Sequence, residues 1–127
     1  TQRASCAPWL RTKGRPKAGG EQDVNVYDKK LEDCAAGTGY FREGKCAGYD
    51  PGEHWICLQK LTPDFCAKTG QDNWCIEKGQ RPWCVCTGKY EEYYKKVGHT
   101  AETKINCDAT NKRAEHVTGV AEWCPER

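Results

Sequence analysis

Methionine is absent from this chain of 127 residues, serine occurs once, and phenylalanine twice. The lone Ser5 sits in a basic leader with no Gly-x-Ser-x-Gly turn around it, which excludes serine-hydrolase chemistry. No glycine-rich loop runs into Lys-Ser or Lys-Thr, so a nucleotide-phosphate cradle is not indicated. No apolar run approaches the ~20 residues of a membrane-spanning helix. No Asn-x-Ser/Thr sequon starts at Asn25, Asn73, Asn106 or Asn111. Cys-x-x-Cys is missing too, which removes the usual signature of a dithiol redox enzyme. Apolar residues are scarce at 37% and charged ones reach 30%, with a mean hydropathy of -0.92. A single domain of this size and polarity buries only a thin core and needs crosslinks or metals to hold it.

What is abundant is cysteine: ten residues, an even number, at Cys6, Cys34, Cys46, Cys57, Cys66, Cys75, Cys84, Cys86, Cys107 and Cys124. That density reads as a disulfide scaffold of an oxidising compartment. Each bridge closing a loop of tens of residues stabilises by roughly 2–4 kcal/mol, against ~5–15 kcal/mol for a whole domain. The chain starts at Thr1 without methionine. We therefore expect a mature product from which a targeting segment was removed, in the extracellular space or in an organelle lumen such as that of the thylakoid.

The net charge of +2 is unevenly spread. Arg3, Arg11, Lys13, Arg15 and Lys17 make residues 1–20 a basic segment with no acid, leaving the rest at -3. The expected organisation is a basic Gly/Pro-rich arm over residues 1–23 and one disulfide-stapled domain over residues 24–127. With Trp9, those five cations are the candidate partner-binding residues, suited to an acidic protein surface. Five charges without interleaved aromatics are a weak nucleic-acid footprint. Composition alone would leave such an arm disordered; a bridge through Cys6, a partner surface, or both would hold it.

Along the domain, Val24-Asn25-Val26-Tyr27 alternates like a short strand, and residues 35–53 follow as glycine-rich turns. Trp55-Ile56-Cys57-Leu58, Trp83-Cys84-Val85-Cys86 and Lys104-Ile105-Asn106-Cys107 read as buried strands. Thr62-Pro63-Asp64 opens a helix ending near Gly70. A second helix runs from Tyr90 to Val97 and stops at Gly98, with Tyr90, Tyr93, Tyr94 and Val97 as a core-facing stripe. A last helix, capped by Asp108 or Thr110, reaches Val117. Strands alternating with helices suggest parallel neighbours joined by crossovers. The expected fold is α+β, or a small α/β layer, with a three- to four-stranded sheet and short helices.

Cys84 and Cys86, two apart on a strand, should share a face. Each should pair elsewhere, with Cys57 and Cys107 as candidates; ten cysteines otherwise leave the connectivity open. A zinc site would need Cys84-x-Cys86 together with His54 or His99, and lacks a second ligand pair. A low-pKa thiol would need a helix N-terminus, which none of these cysteines is expected to have. His54 beside Asp50 and Glu53 could form an acid–base group, although a solvated turn is the simpler reading. Trp55 and Trp83 belong to strands and core; Trp9, Trp74 and Trp123, in loops or tails, either cover disulfides or form a binding surface. No catalytic residue, metal or cofactor is therefore assigned.

Several runs resemble a small, mostly bacterial family known as a domain of unknown function (number twenty-two thirty-seven). Gly39-Tyr40-Phe41-Arg42-Glu43-Gly44-Lys45-Cys46 is similar to its Gly-Phe-aromatic-Arg-Asp-Gly-Cys-Cys run. Gly52-Glu53-His54-Trp55-Ile56-Cys57-Leu58 is similar to Gly-x-His-Thr-Val-Cys-Ala. Thr62-Pro63-Asp64-Phe65 matches a Thr-x-x-Phe helix opening. Gln80-Arg81-Pro82-Trp83-Cys84-Val85-Cys86-Thr87 is similar to Asp-Arg-Trp-Cys-Leu-Cys-Ala, and Asp108-Ala109-Thr110-Asn111-Lys112 to Glu-Ala-Thr-His-Glu. The likeness spans roughly residues 24–120. The family's Cys-Cys is Lys45-Cys46 here and its late His is Asn111. Cys6, Cys66, Cys75, Cys107 and Cys124 lie off its cysteine pattern, as in a relative moved into an oxidising compartment. The resemblance implies a fold and no reaction.

The functional expectation is a non-catalytic accessory or interaction subunit docked on a larger assembly in an oxidising lumen, such as a photosynthetic complex. The alternatives are a secreted effector or ligand-binding protein acting alone, and a thiol-redox or metal-binding enzyme descended from the bacterial family.

Overall fold

The computed structural model describes residues 23–40, 42–48 and 50–125. The chain builds β1 (Ile56–Leu58), α1 (Pro63–Lys68), α2 (Trp74–Glu77), β2 (Trp83–Val85), α3 (Thr87–Val97) and α4 (Thr118–Trp123). Single 3-10 turns at Ala101–Thr103, Cys107–Ala109 and Lys112–Ala114 link α3 to α4. The α+β class holds, with a sheet of two strands among the described residues rather than three or four. The pairing is antiparallel, with Cys57 opposite Cys84. One crossover helix would return the chain parallel; α1 and α2 in succession give it a further reversal.

The other two expected strands are reduced to single bridges. Val24 pairs with Lys30, Asn25 with Asn111, and Ile105 with Leu58. Each segment is diverted by its own polar residues. Asn25 Oδ1 accepts from the backbone N–H of Tyr27 at 2.8 Å and Lys29 at 3.1 Å, turning the chain after two residues. Asn106 and Asn111 act similarly on Asp108 and Arg113, at 3.2 and 2.9 Å. These Asx contacts compete with the helical ladder. The helix expected to end at Val117 is therefore two separate turns, and α4 begins only at Thr118.

Side-chain alternation splits the sheet into two faces. Ile56, Leu58, Trp83 and Val85 join the main core with Phe65, Tyr90, Tyr93 and Val120. Cys57 and Cys84 face the other way into a small cluster with Cys46 and Ala109. The tyrosine stripe is core, as its spacing predicts. Tyr93 meets Phe65 edge-on at 5.2 Å and donates to Asp64 Oδ2 at 2.9 Å. Tyr90 donates to the Thr103 carbonyl at 2.7 Å. α1 starts at Pro63 behind Thr62, and α3 ends at Gly98, whose φ of 81° is the left-handed conformation glycine adopts freely.

α4 rests on α3 through Gly119. A Cβ there would lie 2.6 Å from Tyr90 Cε2 and 2.9 Å from Tyr94 Cδ1. Gly→Ala in an open helix stabilises by about 0.5–1 kcal/mol. Here overpacking against a fully buried ring costs ~1–3 kcal/mol and wins. Gly119→Ala is thus expected to lower the urea midpoint; an unchanged or higher midpoint contradicts the close approach.

The same tyrosines set an alkaline limit. Burial is the first cause that pushes Tyr90 and Tyr93 above the usual phenol range. Tyr94 is pushed up to about 12, by burial and then by its hydrogen bond to Glu122. A raised phenol pKa means that the unfolded chain releases its proton first. Stability from these rings is whole below pH ~10, the unperturbed tyrosine value, and falls as pH rises through 12. Urea midpoints measured from pH 9 upward should drop over that window, together with delayed tyrosinate absorbance.

Candidate functional site

The back of the sheet carries the densest chemistry. Cys57 and Cys84 stand directly opposite each other, yet each bonds to a loop cysteine: Cys34–Cys57 and Cys46–Cys84. The two cystines lie side by side, with the Sγ atoms of Cys34, Cys46 and Cys84 within 4.8 Å of one another. Cys46, Cys57 and Cys84 are buried, and Cys34 is half-buried at the rim. Together they clamp the segment from Cys34 to Cys46 against the strands. Thr38 Oγ1 in that loop accepts from the Cys84 N–H at 2.9 Å, and Thr110 Oγ1 accepts from the Cys57 N–H at 3.1 Å.

The loop closes on itself as Cys34 N–H and Gly44 N–H donate to the Gly44 and Thr38 carbonyls, at 2.7 and 3.0 Å. Gly39 passes so near Lys45 that a Cβ would sit 2.2 Å from the Lys45 carbonyl oxygen, and its φ is 91°. Only glycine fits there. Lys45-Cys46 stands where the resembling family has Cys-Cys, and Cys46 pairs with Cys84. Spacing could not reveal that partner, because it lies across a non-repetitive turn.

The remaining cystines staple separate places. Cys66–Cys75 joins α1 to α2, and Cys107–Cys124 joins a 3-10 turn to the end of α4. The expected Cys57 or Cys107 partners of the Cys84-x-Cys86 pair are therefore corrected to Cys46 for Cys84. Cys86 is disulfide-bonded as well. It does not share the face of Cys84: the strand ends at Val85, and Cys86 turns into the main core as the N-cap of α3. The zinc arrangement imagined for Cys84-x-Cys86 with His54 or His99 thus does not form. The helix N-terminus thought to be missing is present, at Cys86.

His54 was expected on a solvated turn; it is buried. Asp50 Oδ2 lies 2.8 Å from His54 Nδ1 and accepts from the His54 backbone N–H at 2.8 Å. Asp50 Oδ1 accepts from the Gly52 N–H at 2.7 Å. The carboxylate thereby folds residues 50–54 into a closed turn that delivers the chain into β1. Glu53, at a φ of 59°, receives the Thr87 N–H on its carbonyl at 3.0 Å and the Thr87 hydroxyl on its carboxylate. The pair joins this turn to the start of α3. Tyr40 stacks on His54 with centroids 6.3 Å apart.

Asn111, at the family's late-His position, is a structural crossing point. Its Nδ2 donates to Asp23 Oδ2 at 2.9 Å and to the Cys46 carbonyl at 3.0 Å. Asp23 Oδ2 also accepts from the Gly48 N–H at 2.7 Å. Nothing in composition marked this buried seam; polar residues at loop positions look solvated until their partners are known.

The candidate partner-binding residues Arg3, Trp9, Arg11, Lys13, Arg15 and Lys17, and Cys6 with them, lie outside the described residues. Among those described, Trp83 is buried with Lys78 Nζ 4.6 Å from its ring centroid. Trp55, Trp74 and Trp123 are half-buried against the main core, which contains Cys66, Cys75 and Cys124. That placement favours cover over a projecting binding face. Ile76 is exposed at 58% and borders an open hollow of about 300 Å³ lined by Pro63, Cys75, Gly79 and Gln80. A second hollow of about 360 Å³ is lined by Asp23, Val24, Asn111, Lys112, Arg113 and Glu115. No helix among the described residues is long and apolar enough to cross a membrane.

Comparison with known proteins finds one family, DUF2237, described as an uncharacterised protein conserved in bacteria, whose profile matches residues 24–122. No curated protein matches the chain.

Non-reducing peptide mapping should recover four links: 34 to 57, 46 to 84, 66 to 75 and 107 to 124. Cys86 is disulfide-bonded as well, and the same map should identify its partner. Recovery of Cys57 linked to Cys84 would contradict the side-by-side arrangement.

Proposed function

The chain belongs to the DUF2237 family, and from that premise we propose that it is a non-catalytic accessory subunit, docked on a larger assembly in an oxidising compartment. One observation carries this reading: no cysteine among the described residues is free. A nucleophilic thiol or a dithiol couple needs a reduced sulfur. Here the sulfurs hold loops. Two other groups suited to chemistry are spent in the same way, with Asp50 closing the turn at His54 and Asn111 tying Asp23 to Cys46.

Several disulfides are compatible with an oxidising setting. A lumen such as that of the thylakoid, or the extracellular space, satisfies this condition. Function then falls to surfaces. The first twenty residues of the arm over residues 1–23, with five cations and no acid, have the charge to lie along an acidic partner. The other reading, a secreted effector working alone through exposed tryptophans, is disfavoured by the half-buried state of Trp55, Trp74 and Trp123.

Sedimentation of a native extract tests the proposal. The protein should travel with a particle far larger than its own 14.3 kDa. Charge reversal of the arm (R3E, R11E, K13E, R15E, K17E), which leaves Cys6 in place, should release it as a monomer. A wild-type protein that sediments alone at monomer mass would sink the docking reading and favour the lone effector.

A further inference from the structure

Two of the four described cystines do more than a staple requires. Cys66–Cys75 and Cys107–Cys124 each join an element to its neighbour, far apart from one another in the chain. Cys34–Cys57 and Cys46–Cys84 instead lie side by side, with three of their four sulfurs, those of Cys34, Cys46 and Cys84, within 4.8 Å of one another. Two of the four sulfurs come from directly opposed strand residues, Cys57 and Cys84. The other two come from the ends of one clamped loop. A tetrahedral thiolate site for a borderline cation has bonds of about 2.3 Å, hence sulfurs about 3.8 Å apart. The Sγ atoms of Cys34, Cys46 and Cys84 already lie within 4.8 Å of one another. Cys57 Sγ is outside that group of three and is held 2.06 Å from Cys34 Sγ by their disulfide, so a four-sulfur site forms only once reduction frees it to turn toward the others.

We propose that this double cystine is the oxidised, closed form of a four-sulfur metal site, which on reduction takes a thiophilic cation, Zn²⁺ foremost. Each cystine accepts two electrons and two protons from a dithiol reductant, which leaves as a disulfide. The S–S bond breaks, and two thiols result. The cation then displaces four protons from four thiols, leaving a tetrathiolate complex. The scaffold survives this exchange because the ion replaces both staples at the same place: the loop from Cys34 to Cys46 stays tied to both strands. Half-buried Cys34 gives the reductant its point of entry, while Cys46, Cys57 and Cys84 are screened from water. Sulfur donors screened from water favour soft and borderline ions over Mg²⁺ or Ca²⁺.

Reduction of the full chain with a phosphine under argon, followed by Co²⁺ titration, tests the proposal. One ion per chain should bind, with sulfur-to-cobalt charge transfer and tetrahedral ligand-field absorption, and Zn²⁺ should displace it. The double variant C66S/C75S should keep this spectrum. C46S/C84S should lose at least tenfold in Co²⁺ affinity. A measurement on the unaltered chain covers the case where that variant fails to fold. With Zn²⁺ bound, Cys34, Cys46, Cys57 and Cys84 should resist alkylation, while Cys66, Cys75, Cys107 and Cys124 are modified. Octahedral spectra, equal loss in both double variants, or uniform alkylation in the presence of Zn²⁺ would each overturn it. None of these results bears on whether the arm docks, so the two readings fail separately.

Discussion

The fold depends on a single clamp: two adjacent disulfides pinning an irregular loop to the back of a sheet only three residues deep. A two-stranded sheet on its own is marginal in water. This one survives because each face is held differently. Apolar side chains of Ile56, Leu58, Trp83 and Val85 enter the main core, while Cys57 and Cys84 are covalently fixed to the loop behind. Covalent attachment takes the place of the second apolar layer that a chain with 37% hydrophobic residues is too polar to supply.

Around the clamp, buried polar side chains do the work usually left to ladders. Asn25, Asp50 and Asn111 each pair with backbone groups outside the strands and α-helices, and Thr110 accepts from the Cys57 N–H of β1. Buried backbone polar groups must find partners, and in long turns those partners have to be side chains. The consequence is low tolerance. Removing one such side chain strands several buried groups at once, at a cost of ~1–3 kcal/mol for each. It also ties the candidate site to the rest of the molecule, since Asn111 links Asp23 to the carbonyl of Cys46.

The same clamp reconciles a passive and a reactive reading of the chain. While oxidised, the four sulfurs act as mechanical fasteners, and in the proposed reading interactions fall to the charged surface and the basic arm. Under the second proposal, the redox state of the same few residues separates the fastened form from a metal-binding one. Family membership over residues 24–122 brings no activity with it, the family being described as uncharacterised; the reading of the site rests on this chain's own cysteines.

Much of the architecture was legible in the residues. Thr62-Pro63-Asp64 announced α1, Gly98 ended α3, and the spacing of Tyr90, Tyr93, Tyr94 and Val97 placed that helix on the core. These features are local, and capping, glycine geometry and helical periodicity act within a few residues. The even cysteine count pointed to crosslinks for a similarly simple reason, since a polar chain of this length has little else to hold it. Tertiary structure alone decided the rest. Strand edges at Val24 and Ile105 became single bridges because Asn25 and Asn106 turned the chain. Antiparallel pairing followed from a second helix too short to show a period. Which sulfur met which was settled by loop closure in three dimensions, through contacts between residues tens of positions apart that no spacing rule encodes.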